Sequence, residues 1–227
     1  MTLSLDERRI AEIVQQVVAD LRGDGAAQPA VAGQTASVSG GTPAPPATPS
    51  LSLDASASLA QGHGGVFSDI DAAIAQATVA QRRLADIPLE RRAALIAAMR
   101  QAAVENAQVL ARHAWQETGM GRYEDKIEKN LLVAERTPGT EALQAGAWTG
   151  DRGLTLVERA PYGAIGAITP STNPTSTIIC NALGMVAAGN SVVFNAHPGA
   201  KQCSAQTVQL LNQAIQRAGG PPDLITC

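Results

Sequence analysis

From residue 164 onward, short runs of small and β-branched apolar residues alternate with longer segments of helical spacing. Ala164 to Thr169 reads as a strand, Thr175 to Ala188 as a buried helix of small residues closed by Gly189, and Ser191 to Asn195 as a second strand. Lys201 to Ala218 then reads as a helix closed by Gly219 and Gly220, and Leu224 to Cys227 as the beginning of a third strand. Strands separated by helices of this length form a parallel sheet with crossover helices, since no tight hairpin can join parallel neighbours. The class is therefore α/β. A sheet of three strands in this order has a long apolar edge, a feature that natural proteins avoid, so the pattern implies an interruption at Cys227 rather than a designed end.

Upstream lies a helical layer. Ser68 with Asp71 offers a capping signal ahead of Ile70, Ala73, Ile74 and Ala77. A second helix starts at Pro88, runs through Leu95, Ile96 and Met99, is interrupted near Asn106 and ends at Gly119, where glycine takes left-handed geometry readily. A third spans Tyr123 to Arg136 and stops before Pro138. After Gly150 the texture becomes strand-like, beginning with Leu154 to Arg159.

The first 61 residues are of another kind. Ile10, Ile13, Val14, Val17, Val18 and Leu21 recur at helical spacing, and Ser4 with Glu7 forms a capping box, so residues 1–22 predict an amphipathic helix. A helix this short is marginal in water without a surface to bury its apolar face. Residues 23–61 predict a flexible linker: Gly25 to Leu53 contains no charged residue, and Gln34 to Ser50 is mostly Gly, Ala, Ser, Thr and Pro. A sticky helix on a long tether points to docking on another molecule, with folding back onto its own domain as the alternative. Residues 62–227 make up the remaining, patterned domain.

Composition narrows the function. With 45% hydrophobic residues among 227, the chain has enough apolar material for a sizeable core. A net charge of −3 without clustered Lys and Arg argues against nucleic acid as a partner. No apolar run approaches the roughly 18 residues needed to span a bilayer, and no export signal opens the chain, so neither a membrane nor secretion is expected. Cys180, Cys203 and Cys227 fit neither a disulfide framework nor a metal site, which suggests reduced thiols in cytoplasm.

In open α/β sheets ligands bind beyond the carboxyl ends of the strands, here the loops Pro170 to Pro174 and Ala196 to Gly199. The hydroxyls of Ser171 and Thr172 suit phosphate or ribose, and the Asn173 amide is a neutral donor able to stabilise an oxyanion. Asn173 before Pro174 reads equally as a plain turn residue, as does His197 before Pro198. No GxGxxG fingerprint is present.

Three stretches carry a family resemblance: ETGMGRYEDKIEKNLLVAERTPG (Glu117 to Gly139), TGDRGLTLVERAPYGAIGAITPSTNPTS (Thr149 to Ser176) and GMVAAGNSVVFNAHPGAK (Gly184 to Lys201). They closely resemble the CoA-acylating acetaldehyde and propionaldehyde dehydrogenases of bacterial microcompartments, within the aldehyde dehydrogenase superfamily. The first loop departs from the Pro-Trp-Asn typical of aldehyde dehydrogenases that form free acids. The resemblance implies a helical layer leading into the first half of a Rossmann-like sheet. It also implies oxidation of a short aldehyde with NAD and transfer of the acyl group to coenzyme A: a thiolate attacks the aldehyde, hydride leaves to the nicotinamide, and the thioester passes to CoA.

On this mapping Asn173 matches the oxyanion donor. Thr169, Pro170, Ser171 and Thr172 match the strand-end loop beside the cofactor, and His197, Pro198 and Gly199 match the loop at the adenosine half of the nucleotide. The family's terminal helix and linker imply that residues 1–22 dock on shell or core proteins, placing the enzyme in a microcompartment lumen, and a homo-oligomer is implied at full length. The family's nucleophilic cysteine lies in a segment with no counterpart among residues 1–227. Cys180 and Cys203 read instead as buried core thiols. Two alternatives stay open: a noncatalytic chain that keeps only targeting or interaction ability, and an ordinary acid-forming aldehyde dehydrogenase.

Overall fold

The computed structural model describes residues 62–227; the expected terminal helix at 1–22 and linker at 23–61 lie outside the described residues. Four helices come first: α1 (Ile70–Ala85), α2 (Leu89–Glu105), α3 (Ala107–Thr118) and α4 (Tyr123–Arg136). The cap of α1 falls one residue beyond the predicted position. Asp69, not Ser68, accepts the Ala72 amide at 2.9 Å, and its carboxylate satisfies an orphan amide of the first turn while facing the positive end of the helix. The break near Asn106 and the left-handed Gly119 that closes α3 are as expected. Arg100 of α2 donates to the Ala134 and Thr137 carbonyls at 2.6 and 2.5 Å, satisfying the end of α4.

An antiparallel hairpin follows, β1 (Gly146–Gly150) with β2 (Gly153–Val157). Its side chains stay in solvent, Trp148, Leu154 and Leu156 among them. The sheet then runs β3 (Ala164–Ile168), α5 (Pro174–Ala187), β4 (Ser191–Asn195), α6 (Lys201–Arg217) and β5 (Ile225–Thr226), with the strands parallel in the order β3-β4-β5. Alternation along β4 decides what each face buries. Val192 and Phe194 enter the main core with Ile178, Leu183, Leu211 and Ile215 of α5 and α6 and Leu95 and Met99 of α2, whereas Val193 packs against Ala73 and Ala77 of α1.

The long apolar edge expected of the unfinished sheet is corrected on the β5 side. At β5 the Cys227 amide donates to the Gly65 carbonyl at 2.9 Å and the Phe67 amide to the Cys227 carbonyl at 2.8 Å, so residues 65–67 cover that edge. At β3 no further strand pairs among the described residues, and Ile168 is 83% exposed. Among the described residues no helix is long and apolar enough to cross a membrane.

Candidate functional site

Because β3 and β4 are parallel neighbours, their carboxyl ends deliver two loops side by side. The Thr169 amide continues the ladder by donating to the Asn195 carbonyl at 3.1 Å. Thr169 is 1% exposed and its hydroxyl has no partner among the described residues, an orphan of the sort that marks a missing ligand or water. Pro170 and Thr172 are exposed, while Ser171 is half-buried and reaches the Met120 sulfur at 3.7 Å.

Asn173 is the N-cap residue of α5, with Pro174 at the first helical position. An asparagine there ordinarily turns its side chain onto the helix amides, but this one makes no cap bond. Its Oδ1 instead accepts from Lys129 Nζ at 3.2 Å. A lysine ammonium only donates, so this contact assigns the amide oxygen to the Lys129 side and leaves the amide nitrogen as a donor with no acceptor among the described residues.

Sequence reasoning missed the layer behind the loop. On α4, Lys126, Lys129 and Asn130 sit at i, i+3 and i+4, hence on one face. Lys126 is 5% exposed and donates to the Thr172 carbonyl at 2.9 Å. Asn130, fully buried, donates to the Ala107 carbonyl at 3.1 Å and accepts from Thr175 Oγ1 at 2.9 Å. Burial, and then the neighbouring Lys129 charge, hold the Lys126 ammonium below the usual lysine range. Three polar residues at 3–4 spacing are the only signal the sequence offers, on a helix that also carries Ile127, Leu131, Leu132 and Val133.

The second loop is simpler. His197, Pro198 and Gly199 are all exposed, and His197 Nδ1 accepts the Gly199 amide at 3.0 Å, capping a single 3₁₀ turn at Pro198–Ala200. The start of α6 is already engaged: Glu117 accepts the Gln202 and Cys203 amides at 2.8 and 2.7 Å. Burial pushes the Glu117 carboxyl up, but these amides outweigh it and hold it below the usual range.

A cleft of about 530 Å³ opens beside the end of β4, in the size range of small-molecule sites. Asn195, Ala196, Lys201 and Gln202 line it together with Phe67 and Asp69; none of the eight residues singled out from the sequence does. Lys201 and Asn195 bring an ammonium and a carboxamide to this cleft, groups whose chemistry suits the phosphates and ribose of a dinucleotide, whereas the Thr169 hydroxyl is buried outside its lining. Neither Cys203 nor Cys227 is poised as a nucleophile, since burial pushes both thiols up to about 12. Cys180, expected to be buried, is instead half-buried on α5 and lines a groove with Thr137, Gly139 and Arg159.

Residues 53–227 match the aldehyde dehydrogenase family model, and the chain belongs to that family. Its likeness within the family is to acylating members. It is 51% identical over 161 residues to an acetylating acetaldehyde dehydrogenase of Escherichia coli, and 44% identical over 161 residues to a CoA-propanoylating propanal dehydrogenase of Salmonella typhimurium. These alignments cover 71% of this chain but only 34% and 35% of the relatives, so the chain spans about a third of their length. Among solved structures, the propionaldehyde dehydrogenase of Rhodopseudomonas palustris with bound propionyl-CoA superposes with a TM-score of 0.71 at 47% identity. That match covers 72% of this chain and 37% of the other. A propionaldehyde dehydrogenase from a fucose-utilisation microcompartment of Clostridium phytofermentans gives 0.70 at 52% identity, covering 71% and 37%.

Proposed function

We propose that these residues form the cofactor-side part of a CoA-acylating aldehyde dehydrogenase, which oxidises acetaldehyde or propionaldehyde to the acyl-CoA through a cysteine thioester. The observation that carries this reading is identity of 44–51% over 161 residues to relatives named for that reaction. In it, the Asn173 amide nitrogen donates to the oxygen of the aldehyde as negative charge develops there. The strand-end residues Thr169 to Thr172 and the loop His197 to Gly199 flank the nucleotide, with Lys201 and Asn195 supplying a cation and an amide at the cleft. NAD, when bound, accepts the hydride, and coenzyme A takes the acyl group. Residues 1–22 serve as a docking helix on shell or core proteins and residues 23–61 as its tether. In this reading the protein works in the lumen of a cytoplasmic microcompartment, which the microcompartment source of one structural relative supports, and assembles as a homo-oligomer at full length.

Cys203 and Cys227 do not supply the nucleophile of this reaction, since burial pushes both thiols up to about 12, and Cys180 opens onto a groove lined by residues other than those of the Asn173 loop. The test is NADH formation by the gene product purified from its native source, with acetaldehyde or propionaldehyde, with and without coenzyme A. CoA-dependent NADH formation is expected; NADH formation indifferent to CoA would reject the acylating assignment, and none with either aldehyde would reject the activity.

A further inference from the structure

The Asn173 loop is held by one helix face through three successive attachments. Lys126 fixes the Thr172 carbonyl, Lys129 fixes the Asn173 amide oxygen, and Asn130 fixes the Thr175 hydroxyl at the first turn of α5. Lys126 makes poor sense as a stabilising residue. Lys126 as a whole is 5% exposed, the one acceptor of its ammonium is a neutral carbonyl, and no carboxylate pairs with it among the described residues. A buried charge with so little compensation costs stability, and replacing such a charge by an apolar residue of similar volume is commonly neutral or stabilising. Lys129 adds an orientation that no apolar residue could supply. An asparagine amide presents oxygen and nitrogen in nearly the same shape, and only a pure donor at one end decides which faces the other way.

We infer that Lys126 and Lys129 are positioning residues, which together hold the Thr172–Asn173 peptide and turn the Asn173 amide so that its nitrogen faces the reacting oxygen. This rests on the proposed oxyanion role of Asn173. Lys129 and its contact with Asn173 are solvent-exposed, so its contribution is the direction of the hydrogen bond rather than the field of its charge. The Asn130–Thr175 bond holds the far end of the loop, so rotation of the amide is confined to the side chain itself.

Side-chain nuclear magnetic resonance of the isotope-labelled 227-residue chain decides the orientation, with the Asn173 amide pair identified by its loss in Asn173→Asp. Lys129→Met is expected to move that pair and Lys129→Arg to return it towards its original position. Lys126→Met is expected to move the Asn173 backbone amide while leaving the urea midpoint unchanged or raised. An Asn173 pair that superimposes in the parent and Lys129→Met overturns the inference, as does a Lys126→Met chain that is destabilised with its Asn173 amide unmoved. In the native gene product, Lys129→Met is expected to lower kcat about 10-fold or more, approaching the roughly 100-fold loss typical of removing an oxyanion donor, with a smaller change in KM and recovery in Lys129→Arg. An active parent whose kcat is unaffected by Lys129→Met refutes the positioning role. A parent that forms no NADH refutes the proposed activity and leaves the resonance result to judge the orientation.

Discussion

Asn130→Ala tests how the helical layer is fastened to the site. The side chain of Asn130 joins three helices, donating to Ala107 of α3 at 3.1 Å and accepting from Thr175 of α5 at 2.9 Å, with Asn130 1% and Thr175 2% exposed. Truncation removes the bond to Ala107, worth about 1 kcal/mol net, and strands the Thr175 hydroxyl in a dry core at a cost of roughly 1–3 kcal/mol. The expected loss is therefore about 2–4 kcal/mol before any cavity relaxes. Urea unfolding followed by circular dichroism reads it as a lowered midpoint at unchanged slope. Thr175→Val in the same chain removes the stranded hydroxyl, so the double variant should be less destabilised than the sum of the two by about 1–2 kcal/mol. A loss below about 1 kcal/mol in Asn130→Ala, or strict additivity, would refute the claim that this bond fastens the loop.

Three further outcomes follow from the geometry. Gly65 has φ +93° and a Cβ there would collide with the Asn212 side chain and the Ile225 carbonyl, so Gly65→Ala should destabilise the chain by more than about 2 kcal/mol in the same urea assay. Glu117 is held below the usual carboxylate range, so the stability it contributes is present above the unfolded-state value of about 4.3 and lost as pH falls through the lower folded-state value. The difference in urea midpoint between the parent and Glu117→Gln should therefore shrink below about pH 4, and a gap constant from neutral to acid pH would contradict this. Alkylation with iodoacetamide near neutral pH should modify Cys180 well before Cys203, as peptide mass mapping would reveal; Cys203 reacting first would be inconsistent with its burial.

Much of the fold was legible because its boundaries are written in single residues. Gly119 closes α3 in left-handed geometry, α4 stops at Arg136 ahead of Pro138, and Ser191 to Asn195 is β4 to the residue. The hairpin was half legible. Leu154 to Arg159 read as a strand and forms one as far as Val157, but its partner Gly146–Gly150 reads Gly-Ala-Trp-Thr-Gly, without apolar alternation, because neither strand has a core face to encode. The cover on the β5 edge was invisible for a similar reason: residues 65–67 join it through backbone bonds, which depend on a glycine-permitted turn rather than on side-chain pattern. At the site, the strand-end loops followed from topology. The attachments from α4 did not, because Lys126 and Lys129 lie more than 40 residues from their acceptors and a lysine on a helix reads as a solvent-facing charge. Ser68 and Asp69 are adjacent competent caps, and only the entry angle of the backbone chooses between them.

Mass spectrometry of the product formed from isotopically labelled propionaldehyde by the native gene product, supplied with NAD and coenzyme A, tests whether the Asn173 loop serves oxidation of an aldehyde to its acyl-CoA. Labelled propionyl-CoA, lost together with NADH formation when Asn173 is replaced by Ala, is the expected result. Labelled free propionate formed at the same rate whether or not coenzyme A is present would contradict the account.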